Sequence, residues 1–475
     1  MSATTQPGAS PAAPARLRPP PLWLLLAAGG LLVAISGGVR ATFGLYLDPV
    51  IDDLGSDRAM YGLAIAIQSI VWGVGQPIAG AIADRFGAAR VLGAGAAIYA
   101  VGLFSMAAAD DALALHATAG FLAGAGMAAA SLSVVLASLS RLAPADRRSQ
   151  ALGIATAFGT AGQVALIPLT QWILDTSDWR TAALVMGVIL VAMAVAAPAF
   201  RGSAEDQTRP DERSVAPLTP LREDLRKARY SRGYLLLNTA FFVCGFHVTF
   251  IATHLKSYAS DLGQSGRVAA WALVLIGLFN MVGSYSAGVL GGRYSKTRLL
   301  SLVYGARAIV IAVFVLVPAG SATTLVFGAA IGLLWLTTVP LTSGIIAAQF
   351  GTANAGALFG IVFLSHQVGA FIGAWLGGYL ADSTGSYDVV WWLSVALGVM
   401  AAVIHLLLDE GPAPDPPPPG QRRVILAPAT NALFVVVIGF AIVATVQLGA
   451  DATAAESTGF DVTSLWCPLH PAWLS

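Results

Sequence analysis

Apolar runs of about 20 residues, parted by short polar connections, recur along most of the chain. A first set occupies Leu22–Leu47, Tyr61–Ala83, Val91–Ala109, Leu113–Leu142, Ser149–Leu174 and Thr181–Phe200. A second set occupies Tyr234–Tyr258, Val268–Leu290, Leu299–Val317, Thr323–Phe350, Leu358–Leu380 and Val389–Leu408. Each run is long enough to cross a bilayer as a helix, so the pattern predicts an all-α membrane protein of twelve spans. The first run is too long for a signal-peptide core and continues past Arg40, so it is read as an uncleaved span.

The polar stretches divide the chain further. Residues 1–21 are rich in Ala and Pro and predict a disordered tail. Residues 22–200 and 233–410 form two six-helix sets, joined by a linker at 201–232 that carries both charge signs. After Glu410 the character changes: Pro412 to Pro419 is nearly all proline, and Ala432–Leu448 is apolar again. Within 411–475 that stretch is either a thirteenth span or an atypical tail.

The two sets repeat each other. Gly38-Val39-Arg40-Ala41-Thr42-Phe43 returns 207 residues later as Gly245-Phe246-His247-Val248-Thr249-Phe250. Val74-Gly75-Gln76-Pro77-Ile78-Ala79-Gly80 returns as Val282-Gly283-Ser284-Tyr285-Ser286-Ala287-Gly288, and Arg85, Phe86 and Arg90 as Arg293, Tyr294 and Arg298. Duplicated halves made of membrane helices are a common construction of secondary transporters. The segment after Glu410 has no counterpart in this duplication, which favours the tail reading.

Composition agrees with the pattern. The chain is 56% hydrophobic and 11% charged, whereas a soluble domain carries about 25% charged residues. A net charge of +1 gives nucleic acid no electrostatic foothold. Cys244 and Cys467 are too few and too distant for a disulfide framework or a metal site. There is no phosphate-binding loop of the ATP-driven kind, so neither an enzyme nor a cofactor is expected.

Short-loop charges set an expected orientation. Arg85, Arg90, Arg141, Arg147, Arg148, Arg293, Lys296 and Arg298 lie on one side. Asp48, Asp52, Asp53, Asp110, Asp111, Asp175, Asp178, Asp382 and Asp388 dominate the other. The basic side, with the amino terminus and the linker, is expected to face the cytoplasm.

Gly80-Ala81-Ile82-Ala83-Asp84-Arg85-Phe86-Gly87-Ala88-Ala89-Arg90 follows the second span. It resembles the loop signature of the major facilitator superfamily, Gly-x-x-x-Asp-Arg-x-Gly-x-x-Arg. A weaker echo follows the eighth span, with Gly292 in place of the acid. The resemblance implies a major facilitator fold, two pseudo-symmetric bundles of six helices, and a gating role for Asp84, Arg85, Arg90, Arg293 and Arg298. For the basic residues, setting topology by charge is the plainer alternative.

Arg40 is the sharpest chemical clue. A guanidinium inside a span is costly and is tolerated mainly where it meets a wet cavity or an anion, and its planar fork suits a carboxylate. Snorkelling to the outer surface is the competing reading. His247 is the repeat equivalent of Arg40, and the resemblance implies that the first and seventh helices face each other across a cavity. His254 lies two turns further along, and His366 is placed in the eleventh span. Gln76 and Asn280 either line that cavity or hold helices together. No Asp or Glu falls in the middle of a span. The expected substrate is therefore a small organic anion, held at Arg40, His247, His254, Gln76, Asn280 and His366, with a proton entering on His247 or His254.

The runs Arg40 to Pro49 and Gly245 to Leu255 are similar to bacterial relatives of the monocarboxylate transporters. That implies a monomeric carrier in a bacterial inner (plasma) membrane, moving a monocarboxylate-like anion, with protons, by alternating access. The runner-up is a proton-coupled exporter of drugs or amphipathic compounds. The fifth span lacks the Gly-Pro pair usual in such exporters.

Overall fold

The computed structural model describes residues 22–142, 148–200, 221–351 and 354–414. The amino-terminal tail and the apolar stretch after residue 430 lie outside the described residues. Every regular element described is a helix. The spans are α1 (Leu22–Thr42), α2 (Arg58–Phe86), α3 (Ala88–Met106), α4 (Ala112–Leu136), α5 (Arg148–Thr176) and α6 (Trp179–Ala196) in the first half. The second half holds α7 (Arg232–Asp261), α8 (Gly266–Gly291), α9 (Lys296–Leu316), α10 (Ser321–Phe350), α11 (Ala355–Thr384) and α12 (Asp388–Leu406). Leu47–Leu54 and Leu221–Tyr230 are short flanking helices.

Loop acids begin three of these helices. Asp57, Asp111 and Asp178 accept hydrogen bonds from the backbone N–H groups of Met60, Ala114 and Thr181, at 2.7, 2.7 and 2.8 Å. Each caps the start of an even-numbered span, where the first N–H groups have no partner inside the helix. The acidic bias of that face is thus partly a capping pattern.

Each half has its own apolar core. They meet along two seams, α2 against α11 and α5 against α8. The seams are tight at the acidic end. A Cβ on Gly62 would collide with the Ala374 carbonyl oxygen, and one on Gly378 with that of Arg58. Polar contacts also cross there. Arg58 pairs with Asp261 at 2.5 Å, Lys256 donates to the Leu45 carbonyl at 2.7 Å, and the Ala59 N–H donates to Asp382 at 2.8 Å. Ser257 donates to Asp48, and Arg267 pairs with Asp175 at 2.8 Å.

The basic end differs. Among the described residues, no hydrogen bond or ion pair joins the halves there. Ile78 on α2 and Tyr285 on α8 are exposed. A Cβ on Gly80, Gly288, Gly356 or Gly360 would have no described neighbour within 4 Å. The halves are latched at the acidic end, and between described residues no such contact is found at the basic end.

Two spans are discontinuous at matching places. The first stretch of α4 includes a π-helical segment, His116–Leu122, ends at Ala129, and resumes as Leu132–Leu142. In α10, Ser321–Leu333 and Thr338–Phe350 are parted by residues 334–337. Thr337 lies 207 residues after Ala130, so the duplication preserved the break. Unwound spans of this kind often mark transport machinery.

Candidate functional site

Arg40 lies in the last turn of α1. Side chains on a helix lean toward its N-terminus, which for α1 is the basic end. Arg40 follows that rule and does not snorkel outward. Its guanidinium carbon sits 5.2 Å from the centre of the Trp72 ring. Trp72 lies fourteen residues from Arg58 and fourteen from Phe86, the midpoint of α2. Arg40 is partly buried and makes no hydrogen bond or ion pair with any described residue.

The atoms around it are also unengaged. The Trp72 indole N–H, the Tyr99 hydroxyl and the Gln76 Oε1 are buried without a partner among the described residues. Tyr99, on α3, lies within electrostatic reach of Arg40. Gln76 is one helical turn beyond Trp72 on α2. Trp72 meets Phe363 of α11 edge-on, with ring centroids 5.4 Å apart and planes at 76°. Phe363 stacks on His366 at 5.5 Å and 10°. The His366 Nδ1 lies 3.1 Å from the Gln367 Oε1, and the Gln367 amide donates to the Ser69 carbonyl of α2 at 3.1 Å. A run of rings therefore links Arg40 to His366 across the α2–α11 seam.

His247 is not part of this group. It is 1% exposed, and its Nε2 is 2.8 Å from the Ser394 carbonyl of α12. It lies within electrostatic reach of Arg307 on α9, and Arg307 is 208 residues after Tyr99. Arg40 and His247 thus take equivalent places inside their own halves instead of facing each other. His254 is likewise enclosed, with Nε2 at 2.8 Å from the Ala374 carbonyl and Nδ1 at 3.1 Å from the Tyr387 hydroxyl.

Asn280 serves the broken helix. Its Oδ1 accepts from the Leu336 N–H at 3.0 Å and from the Ser284 hydroxyl at 3.1 Å. Arg307 holds the other side of the same break. Its Nε donates to the Leu334 carbonyl at 2.9 Å, and its Nη2 donates to the carbonyls of Leu334, at 2.5 Å, and Trp335. Its Nη1 approaches the Cys244 sulfur at 3.6 Å, beside the Tyr304 ring. Sequence reasoning missed both Trp72 and the break in α10. Trp favours membrane interfaces, so a Trp midway along a span was a usable signal. Pro340, which suits the first turn of a resumed helix, was another.

Of the gating candidates, Arg85, Arg90, Arg293 and Arg298 are exposed at the basic end. Arg85 lies over the Phe86 ring at 5.3 Å, and Arg90 donates to the Phe86 carbonyl at 3.4 Å. Asp84 is in the last turn of α2, and its side chain lies outside the described residues. At the acidic end, burial holds the Asp48 carboxyl above the usual carboxylate range, with the Ser257 hydroxyl and Lys256 opposing. A hollow of about 340 Å³ between α9 and α12, lined by Ile309, Val395 and Val399, is wholly apolar and suits a lipid tail better than an ion. Among the described residues no cluster of His, Cys, Asp and Glu has metal-binding geometry.

Known proteins place this geometry in a family. The family model described as Major Facilitator Superfamily matches residues 29–340 and 240–469. Monocarboxylate transporter 13 of Rattus norvegicus is 27% identical over 416 residues, covering 86% of this chain and 94% of that protein. The oxalate:formate antiporter of Oxalobacter formigenes is 25% identical over 418 residues, covering 86% and 96%. Among solved structures, the inward open xylose transporter XylE from E. coli superposes with a TM-score of 0.63 at 13% identity, covering 81% of this chain and 96% of that one. A mutant form of the nucleoside transporter NupG gives 0.65 at 13% identity, covering 81% and 99%. Eleven described helices long and apolar enough to cross a membrane, with Arg148–Thr176 as a further long helix, a sequence duplication and the family match lead to one conclusion: the chain belongs to the major facilitator superfamily.

Proposed function

We propose that this protein is a secondary active transporter that moves a small monocarboxylate-like anion across a bacterial inner membrane, coupled to protons, by alternating access. The observation that carries the reading is Arg40: a guanidinium at the depth of mid-α2, with no hydrogen bond to any described residue, beside the α2–α11 seam. A charge held at that depth is a functional pointer unless something in the protein neutralises it. A carboxylate would receive two parallel hydrogen bonds from its fork. The named relatives, a monocarboxylate transporter and an oxalate:formate antiporter, support carboxylate chemistry at Arg40 without deciding between one carboxylate and two.

The basic end faces the cytoplasm in this reading, as the loop arginines favour. The latched acidic end then makes this a cytoplasm-open state. Rocking the halves about the site would exchange the two ends: the Arg58–Asp261 and Asp48–Ser257 contacts part, and the basic loops close. His366, itself buried, stands at the seam and shares the ring run with Arg40, whereas His247 and His254 each set a ring nitrogen against a carbonyl inside the second half, so His366 takes the proton-carrying role in this reading. Gln367, Phe363, Phe241 and Cys244 surround it.

The test is uptake of a labelled carboxylate panel into proteoliposomes, with and without an imposed pH gradient. Uptake of a monocarboxylate, faster with the gradient, is expected. Transport of a lipophilic cation without any carboxylate would replace this reading with the drug-exporter one.

A further inference from the structure

A buried hydrogen-bond donor without a partner costs about 1–3 kcal/mol. Two such donors, the Trp72 indole N–H and the Tyr99 hydroxyl, stand without partners among the described residues beside a guanidinium that likewise has no hydrogen bond to any of them. Apart from the Gln76 Oε1, one turn along α2 and itself unpartnered among the described residues, these groups call for an acceptor, and a carboxylate is an acceptor only. Trp72 also stands where its residue type is disfavoured: tryptophan collects at membrane interfaces, yet this one is at the middle of α2.

We infer that Trp72 is a substrate-binding residue that works through both of its parts. The ring face holds the Arg40 guanidinium in place by cation–π attraction. The indole N–H donates to one oxygen of the substrate carboxylate, while Arg40 donates to that group as well. The body of the substrate then lies toward Phe363, whose ring meets Trp72 edge-on. This deepens the anion-transport reading and rests on it.

The same geometry selects for one carboxylate. Among the described residues, the other deeply placed cations are engaged: Arg307 by the carbonyls of α10, and Lys256 by the Leu45 carbonyl. A second carboxylate would enter the seam without a counter-ion, and an unpaired buried charge is costly. The site therefore takes monocarboxylates in preference to dicarboxylates of equal chain length.

The experiment measures concentration-dependent uptake in proteoliposomes of the full chain, using the best monocarboxylate of the panel. Trp72→Phe keeps an aromatic face for Arg40 and removes the N–H. It is expected to raise KM about tenfold, with maximal rate and melting temperature nearly unchanged. An unchanged KM at unchanged melting temperature overturns the inference. Should Trp72→Phe lower the melting temperature, Trp72→His decides, because it restores a ring N–H. Recovery of KM with the melting temperature still low supports the donor role, and a KM that tracks stability instead overturns it. In wild type, a dicarboxylate should compete at least about tenfold more weakly than its monocarboxylate partner; equal competition refutes the single-carboxylate selection. Absence of all carboxylate uptake by wild type refutes the transport reading itself, an outcome separate from a silent Trp72→Phe.

Discussion

Arg40 and Arg307 are both arginines set within membrane helices, one in each half, and their surroundings are opposite. Arg307 is 1% exposed and donates to two carbonyls of the broken α10, with its remaining arm on Cys244. Arg40 has a ring beneath it and no hydrogen bond to any described residue. A deep charge is thus not by itself a sign of a ligand. Whether the protein has already filled its hydrogen bonds decides the question, and the two halves answer it differently.

The largest effect should follow from breaking the filled side. Arg307→Ala would strand the Leu334 and Trp335 carbonyls and open a gap beside Tyr304, so a loss of about 3–5 kcal/mol is expected from two unsatisfied acceptors and a cavity. A large fall in melting temperature in detergent would register it; a stable variant would mean that α10 holds its break without help. On the unfilled side, Arg40→Ala should reduce carboxylate uptake at least about 100-fold, as loss of a charged bidentate contact implies. Its melting temperature should stay the same or rise. Arg40→Lys should recover only part of the uptake, since an ammonium lacks the fork.

A smaller effect is expected at the acidic latch. Arg58 and Asp261 are only partly shielded, with side chains 21% and 39% exposed, so Arg58→Ala should weaken the closed arrangement by about 1 kcal/mol. Distances between spin labels at Asp52 and Leu262 would show the shift toward separation. Acidification should work the other way. The Asp48 carboxyl is raised, chiefly by burial, so its protonated form favours the latched state. That support is full below the ordinary carboxylate range and fades as pH rises through the raised value. Asp48→Asn should remain latched and lose this pH response.

The smallest effect concerns anchoring at the basic end. Glu410 accepts from the Ser295 hydroxyl at 2.6 Å and the Thr297 N–H at 2.8 Å. Burial alone would raise its carboxyl, but these donors, with Lys296, hold it below its ordinary range. Its contribution is present above the ordinary value and is lost as pH falls through the lowered one. Glu410→Gln should cost about 1 kcal/mol at neutral pH and little in acid, as thermal unfolding at two pH values would show.

The spans and the duplication were legible because crossing a bilayer demands length and apolarity, and both are written in the chain. Arg40 was legible for the converse reason: a charge in an apolar run stands out. The facing of each helix was not. Lipid tails are as apolar as a packed interior, so α1 and α7 carry no clear stripe marking their inner sides, and the expectation that His247 confronts Arg40 had only the repeat to rest on. The break in α10 was half-written, in Pro340. The partner it needed, Arg307, is 27 residues away from Leu334 and became visible only when α9 and α10 were placed side by side.

The most direct measurement is equilibrium binding of a labelled monocarboxylate to the purified protein in detergent, compared between wild type and Arg40→Gln at matched thermal stability. Saturable binding by wild type that vanishes in the variant, with no change in unfolding temperature, is the predicted result. Binding of equal strength in both would show that the guanidinium above Trp72 holds no substrate.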